Sequence, residues 1–482
     1  MIQPWNQVQQ TFQAIWGYTD FRPPQDQVIR SLLSGQDALI VMPTGGGKSI
    51  CFQLPALLQA GLTLVISPLV ALMENQVQDL RAKGLPAQVL HSQLSKLERR
   101  QTLTALEKKQ LRLLYLSPET LLSLPVWERL IWPDLQINGL ILDEAHCLVQ
   151  WGDTFRPAYR RLGAVRPALL KHKPKGSTMA IAAFTATADP QAQRAICQTL
   201  QLKSPKKFLQ SPYRPNLNLA CRTIWTPKGK RDQVQKFLRS QSNQSGLIYV
   251  RSRQDAETLV TELRQNQHKT VAYHAGLSPG DRRQREKDWL TGKLQFVVCT
   301  NAFGMGIDKA DVRWILHYHP PSLLAEYIQE IGRAGRDGKK SVALSLVSEA
   351  SGLFNPEDKN RARFFWRNLQ KTIRQAEKLA HNLPPQGNIA DFDSPQAALG
   401  LAILHSTGQL HWRDPFTYEQ RSSPHTQTFI QLRTQQAQTF QQMQNFWPHK
   451  GCRWHYLLQS FGFPQKAGNF RCGHCDRCEK SR

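Results

Sequence analysis

The chain has no run of about eighteen apolar residues, so nothing in it reads as a membrane-spanning helix. Its first residues, Met1-Ile2-Gln3-Pro4-Trp5, lack both the basic start and the apolar stretch of a secretory leader. Cysteine is sparse and unevenly spread: nine in 482 residues, four of them in the last thirty-one. That distribution argues against a disulfide framework. It fits a reducing compartment, the cytoplasm (the nucleoid if bacterial), with one metal site near the end. Acidic residues are in short supply. Lysine and arginine number 62 against 36 aspartates and glutamates, a formal charge of +26. A merely solubilising surface needs no such excess, which points to a polyanionic partner, most simply nucleic acid. Apolar content is ordinary for a globular protein. The length predicts about three domains and suffices for at least two full cores.

One stretch organises what is there. Met42-Pro43-Thr44-Gly45-Gly46-Gly47-Lys48-Ser49 follows a strand-type run, Ala38-Leu39-Ile40-Val41, and precedes a helix-type run over 50–58. A glycine-rich turn between a strand and a helix N-terminus lines up backbone N–H groups. With the positive end of the helix dipole, they suit a polyphosphate. Thr44, Gly45, Gly46 and Gly47 would form the nest, Lys48 would reach the β- and γ-phosphates, and Ser49 would offer its hydroxyl to Mg²⁺. The general P-loop pattern has glycine where Met42 stands, so the match is to the tail of the motif.

Four further apolar runs, at 62–66, 113–116, 139–142 and 179–184, alternate with helical stretches, which predicts a parallel sheet flanked by helices. A polar cluster follows each: Ser67-Pro68-Leu69, Ser117-Pro118-Glu119, Asp143-Glu144-Ala145-His146 and Thr185-Ala186-Thr187. In such sheets the loops at strand carboxyl ends carry the ligand chemistry. Asp143 would hold Mg²⁺ directly or through water, and Glu144 would orient and deprotonate an attacking water. Capping a helix is the ordinary alternative for such a pair. Gln25, one helix earlier, carries an amide that donates and accepts together, as an adenine edge requires, although a lone surface glutamine is more often simply solvated.

Taken in order, Gln25, Gly-Gly-Gly-Lys-Ser, Ser-Pro-Leu, Ser-Pro-Glu, Asp-Glu-Ala-His and Thr-Ala-Thr resemble a superfamily-two helicase. The run Cys147-Leu148-Val149-Gln150-Trp151-Gly152-Asp153-Thr154-Phe155-Arg156-Pro157 resembles the aromatic-rich loop of RecQ DNA helicases. The resemblance implies that this loop senses single-stranded DNA, with Trp151 and Phe155 as stacking faces and Arg156 adding charge. It implies that His146 couples the DNA and ATP sites and that Gln25 binds adenine.

The basic stretch 203–213, with Pro205 and Pro212, reads as a linker. Strand-type runs at 246–250, 271–274 and 296–300 then restate the strand–helix grammar without a sequence repeat. Thr300-Asn301-Ala302-Phe303-Gly304-Met305-Gly306-Ile307-Asp308 follows its strand directly, and its glycines permit close backbone approach to a ligand. Gln329-Glu330-Ile331-Gly332-Arg333-Ala334-Gly335-Arg336-Asp337-Gly338 is the last motor motif. Arg333 and Arg336, three apart on a helix, would share a face. A guanidinium can clamp a γ-phosphate and stabilise transition-state charge. By resemblance Arg336 is the arginine finger, Arg333 its neighbour and Gln329 a nucleotide contact. ATP is expected between two domains, with 3′-to-5′ movement on DNA.

Beyond 345 the pattern is helical over 358–381, broken at Leu383-Pro384-Pro385, helical again from Pro395, and strand-like at 408–412. A small winged-helix-like unit and an irregular helical insertion are both open. A glutamine-rich run, 431–444, reads as one more helix. Cys452, Cys472, Cys475 and Cys478 resemble the RecQ zinc module, a closed four-thiolate Zn²⁺ site. An iron–sulfur reading lacks its Cys-Pro, and His474 or His455 could replace a thiolate. The chain stops four residues after Cys478, so the downstream domains of longer family members are expected to be missing. The expected architecture is α/β: two tandem RecA-like parallel-sheet domains (1–205 and 206–345), a helical insertion (346–445) and a zinc module (446–482). The expected function is that of an ATP-dependent 3′–5′ DNA helicase acting in recombination and repair on single-stranded and tailed or forked duplex DNA. The rival readings are a translocase, an RNA remodeller or an annealing module without productive unwinding.

Overall fold

The computed structural model describes residues 4–149, 156–303, 309–392, 394–421, 426–464 and 468–479. The chain forms two compact units, one of Met1–Gln210 with Asn368–Thr434, the other of Ser211–Arg367 with Gln435–Arg482. The stretch 346–445 is thus shared between them.

In the first unit, strands β1 (Ala38–Val41), β2 (Leu62–Ile66), β3 (Ala87–Leu90), β4 (Leu113–Leu116), β5 (Ile137–Leu142), β6 (Ala180–Thr185) and β7 (Lys206–Leu209) form one sheet. Its order is β3-β4-β2-β5-β6-β1-β7, and every pairing is parallel. The inner strands are apolar at nearly every position because helices cover both faces. Leu39, Leu64, Leu140 and Ile181 join one core. Ile40, Val65, Ile141 and Ala182, one residue on, join the other, as the twofold alternation of a strand requires. The four runs expected as strands are strands. The stretch 203–213 is not only a linker, however. Four of its residues form β7, paired with β1 from Ala38↔Lys206 to Val41↔Leu209. An edge strand exposed on its outer side carries Lys206 and Lys207 at little cost, so it lacks the apolar signature by which the inner strands are read.

A smaller antiparallel sheet, β14 (Gln386–Asn388), β16 (Thr417–Gln420) and β15 (Leu410–Trp412) in that spatial order, has the helix Pro395–Ser406 in sequence between its first and second strands. It belongs to the first unit. There Phe416 meets Trp127 edge-on with ring centroids 5.3 Å apart, and Arg161 donates to the Pro415 carbonyl at 3.1 Å.

In the second unit β8 (Leu217–Ile224), β9 (Gly246–Tyr249), β10 (Thr270–Tyr273), β11 (Phe296–Cys299), β12 (Trp314–His317) and β13 (Ser341–Ser348) run in the order β10-β11-β9-β12-β13-β8, again all parallel. The helix Arg453–Ser460 docks on this sheet through Trp454, which is fully buried and donates from Nε1 to the Leu217 carbonyl at 3.1 Å. Among the described residues no helix is long and apolar enough to cross a membrane.

Candidate functional site

At the end of β1 the chain turns through Gly45 (φ 80°) and Gly47 (φ 73°) into the helix Lys48–Leu58. Both glycines occupy the left-handed region, which a side chain resists. Lys48 folds back over the turn, its Nζ donating to the Met42 carbonyl at 3.2 Å. Ser49 is the second residue of the helix, half-buried. Gln25, only 3 % exposed, braces the turn from below. Its Nε2 donates to the Gly46 and Gly47 carbonyls at 3.3 and 3.2 Å, and its Oε1 accepts from the Arg22 N–H at 2.9 Å. In this state the Gln25 amide is spent on the loop itself.

Asp143 and Glu144 leave the end of β5. The sheet order places β6 between β5 and β1, so the acidic pair and the glycine turn stand about 10 Å apart across two strand spacings. Burial raises the Asp143 carboxyl above its ordinary range and the adjacent Glu144 adds to this, while the Lys48 ammonium pulls the other way. Glu144 itself sits at φ 52°, ψ 46°, a left-handed conformation that costs a non-glycine residue roughly 1 kcal/mol. Strain of this kind gathers at functional sites. Glu144 meets His146 Nδ1 at 3.1 Å, and that nitrogen lies 3.3 Å from Thr185 Oγ1 at the end of β6. Burial opposes a charged His146, but Cys147 and Glu144 outweigh it and raise the imidazole to about 10.

In the second unit the helix Leu324–Ile331 carries Gln329 half-buried and Glu330 buried. The two arginines are not on this helix, contrary to the expectation of a shared helical face. The helix stops at Ile331, and Gly335 takes φ 61°, so Arg333 and Arg336 belong to a turn. The turn is held by Arg214 and Asn216, both of which donate to the Gly335 carbonyl. Arg333 is 6 % exposed and lies against Tyr249, whereas Arg336 is half-exposed. Beneath them Glu330 takes a two-pronged bond from Arg251, 2.8 Å on each side, and meets His317 Nε2 at 3.0 Å.

At the end of the chain the ligand atoms of Cys452, Cys472, Cys475 and Cys478 all lie within 4.8 Å of one another, with Cys472 and Cys478 sulfurs 3.8 Å apart. Four thiolates around one ion at a Zn–S distance of about 2.3 Å stand roughly 3.8 Å apart. The residues therefore fit zinc. His474 turns its ring to the Tyr213 hydroxyl at 3.2 Å instead. Asp476 locks the module to the sheet, accepting from Arg453 at 3.0 and 3.1 Å and from the Cys221 N–H at 3.1 Å.

Comparison with known proteins agrees with this arrangement. Residues 22–195 match the DEAD/DEAH box helicase family, 229–338 the helicase conserved C-terminal domain and 420–479 the RecQ zinc-binding family. The ATP-dependent DNA helicase RecQ of Synechocystis sp. is 49 % identical over 473 residues, 98 % of this chain and 98 % of that one. The chain belongs to the RecQ family of ATP-dependent DNA helicases. RecQ of Haemophilus influenzae is 37 % identical over 82 % of this chain and 60 % of its own length. The probable ATP-dependent DNA helicase RecS of Bacillus subtilis is 39 % identical over 70 % and 66 %. A Saccharomyces cerevisiae Dbp5 structure, bound to RNA and ADP BeF3, superposes with a TM-score of 0.57 at 18 % identity, covering 72 % of this chain and 89 % of that one. It shares the fold of two RecA-like domains.

Within this RecQ-family chain, the first unit brings together Gln25, Gly46, Gly47 and Lys48, and, two strands away at the same sheet edge, Asp143, Glu144 and His146. Arg156 stands apart, paired with Glu119 at 3.3 Å, and Trp151 and Phe155 lie outside the described residues, as do 304–308. Sequence reasoning assigned no role to Thr185, although its place straight after a strand marked it. It also passed over Glu330, hidden between two residues that drew attention for their own chemistry, and Arg251, whose partner lies seventy-nine positions away.

Proposed function

We propose that this chain hydrolyses ATP to move 3′-to-5′ along single-stranded DNA and to separate duplex strands in recombination and repair, in the cytoplasm and at the nucleoid. The observation that carries the reading is the pairing of a glycine turn and its lysine with a buried carboxylate pair, Glu144 of it in a left-handed conformation, two strands away at the same edge of one sheet. The turn's N–H groups and Lys48 bind the phosphates. Ser49 and Asp143 are hard oxygen donors that fit Mg²⁺, and a cation would offset the cost of burying Asp143 beside Glu144. When bound, Mg²⁺ supplies charge neutralisation at the β- and γ-phosphates. Glu144 positions the attacking water and takes its proton. His146, bonded to both Glu144 and Thr185, holds that carboxylate in place and reports on the DNA loop that follows it. Arg336, as arginine finger, and Arg333, with Gln329, are assigned to the nucleotide by their match to the family motif.

The +26 charge supports a nucleic-acid track. The test is a fork-unwinding assay on 3′- and 5′-tailed duplexes, with ATP hydrolysis measured on single-stranded DNA and on RNA of the same sequence. Unwinding of the 3′-tailed substrate, with turnover lost in Glu144→Gln while ATP still binds, is the expected result. Strand separation that persists in Glu144→Gln would refute the motor reading, and stronger stimulation by RNA would refute the substrate.

A further inference from the structure

The carboxyl edge of the second sheet bears a surface that the nucleotide site does not use. All pairings there are parallel, so all six strands end on one side, the side on which such sheets receive ligands. β8 and β13 pair over their full length and end together at Ile224 and Ser348. Trp225 and the loop after Ser348 therefore leave the sheet side by side. Trp225 is 60 % exposed, Leu353 81 % and Phe354 63 %. The rings of Trp225 and Phe354 have centroids 6.1 Å apart.

This exposure is built in. The Glu349 carboxylate accepts from the N–H groups of Gly352, Phe354 and Asn355 at 2.9, 3.0 and 3.4 Å and from the Ser351 hydroxyl. Lys359 fastens the other side, donating to the Ser351 carbonyl at 2.9 Å. A fixed loop thus holds two large apolar side chains in water, where they contribute nothing to the core. Beside them the Asn355 side chain is 1 % exposed, and neither end of its amide has a partner among the described residues. Exposed apolar patches on a well-formed surface mark interaction sites.

Charge identifies the occupant. The helix Pro227–Ser240 that follows Trp225 begins with exposed Lys228 and Arg231, and the helix Glu357–Asn382 that follows Phe354 begins with exposed Lys359 and Arg363. The acids among them are mostly spent. Glu357 binds Lys230 at 2.7 Å and His319 at 2.6 Å, and Asp358 accepts from the Ser348 N–H at 2.7 Å. Asp232 alone is exposed in those opening turns. A protein partner does not call for that one-sided charge, whereas single-stranded nucleic acid is read by aromatic faces set among cations.

We propose that Trp225, Leu353 and Phe354 form a stacking platform for single-stranded nucleic acid on the second unit, its phosphates met by the basic first turns of the two flanking helices. The identity of the polymer as DNA rests on the motor reading above. The test uses the full chain carrying Trp225→Ala and Phe354→Ala together, both at exposed positions, with Trp225→Phe as the conservative control. Affinity for fluorescent oligo-dT and oligo-U of increasing length is read by anisotropy. The double variant is expected to lose about ten- to hundredfold in affinity for long strands, with an unchanged thermal midpoint and unchanged kcat for ATP at saturating DNA. Trp225→Phe is expected to keep most of the affinity, and 5-iodouracil crosslinks are expected at Trp225 or Phe354. Equal affinity of parent and double variant at every length would overturn the platform. So would self-association of the parent that the double variant abolishes without change in strand binding, which would make the surface a protein interface. Failure of the motor reading looks different: the parent itself would show no strand-stimulated hydrolysis.

Discussion

The clasp between Gln25 and Gly47 makes a prediction whose size can be worked out. A methyl group on residue 47 would sit 2.3 Å from Gln25 Nε2, and the residue would have to hold φ 73°. The left-handed backbone costs about 1 kcal/mol for alanine. Expelling the Gln25 amide forfeits two hydrogen bonds to loop carbonyls, about 1 kcal/mol each. Gly47→Ala should therefore destabilise by about 3 kcal/mol. Gln25→Ala alone loses those bonds and the one from the Arg22 N–H, about 3 kcal/mol, without the backbone strain. In the double variant the steric conflict is gone and only the backbone term of about 1 kcal/mol is added to the Gln25 loss, so the total stays at about 4 kcal/mol instead of the additive total of about 6. Urea unfolding of the four chains, compared by midpoint at constant slope, reads the coupling of about 2 kcal/mol. Costs that add to within about 0.5 kcal/mol would show that Gln25 does not brace the turn.

Other consequences follow from the same coordinates. Arg251→Met should cost about 3–5 kcal/mol by stranding the buried Glu330 charge, and Glu330→Gln in the same chain should recover part of it; a loss under 1 kcal/mol in thermal or urea unfolding would contradict the bidentate pairing. Cys475→Ser should lower bound zinc from one ion per chain to none, as read by atomic absorption, and loosen the Trp454 dock so that proteolysis starts near residue 453. His405 is held down to about 3, first by burial and then by the charges of Arg160, His411 and Arg421. Its folded value lies below its unfolded one, so the stability it contributes is present above about pH 6.5 and is lost as pH falls toward 3, about 2 kcal/mol of it by pH 5. Unfolding midpoints across pH 5–7 check this, and His405→Gln should flatten that part of the profile.

The sequence by itself determined the elements whose physics is local. Apolar four-residue runs flanked by helical stretches can be little else than inner parallel strands, and three glycines before Lys48 specify the turn because only glycine holds φ 80° and 73° there without strain. The cysteine spacing likewise named its own chemistry. Tertiary structure alone decided what depends on partners distant in the chain. Lys206 and Lys207 become part of a strand because β1 offers an open edge. Arg333 is buried because the helix before it stops at Ile331 and the turn is pinned by Arg214 and Asn216, more than a hundred residues earlier. Residues 368–434 join the first unit through contacts such as Phe416 on Trp127, nearly three hundred positions apart. A pattern along the chain records which face of an element is apolar, but not which other element will cover it, because that choice is made by packing between segments whose sequences carry no mark of each other.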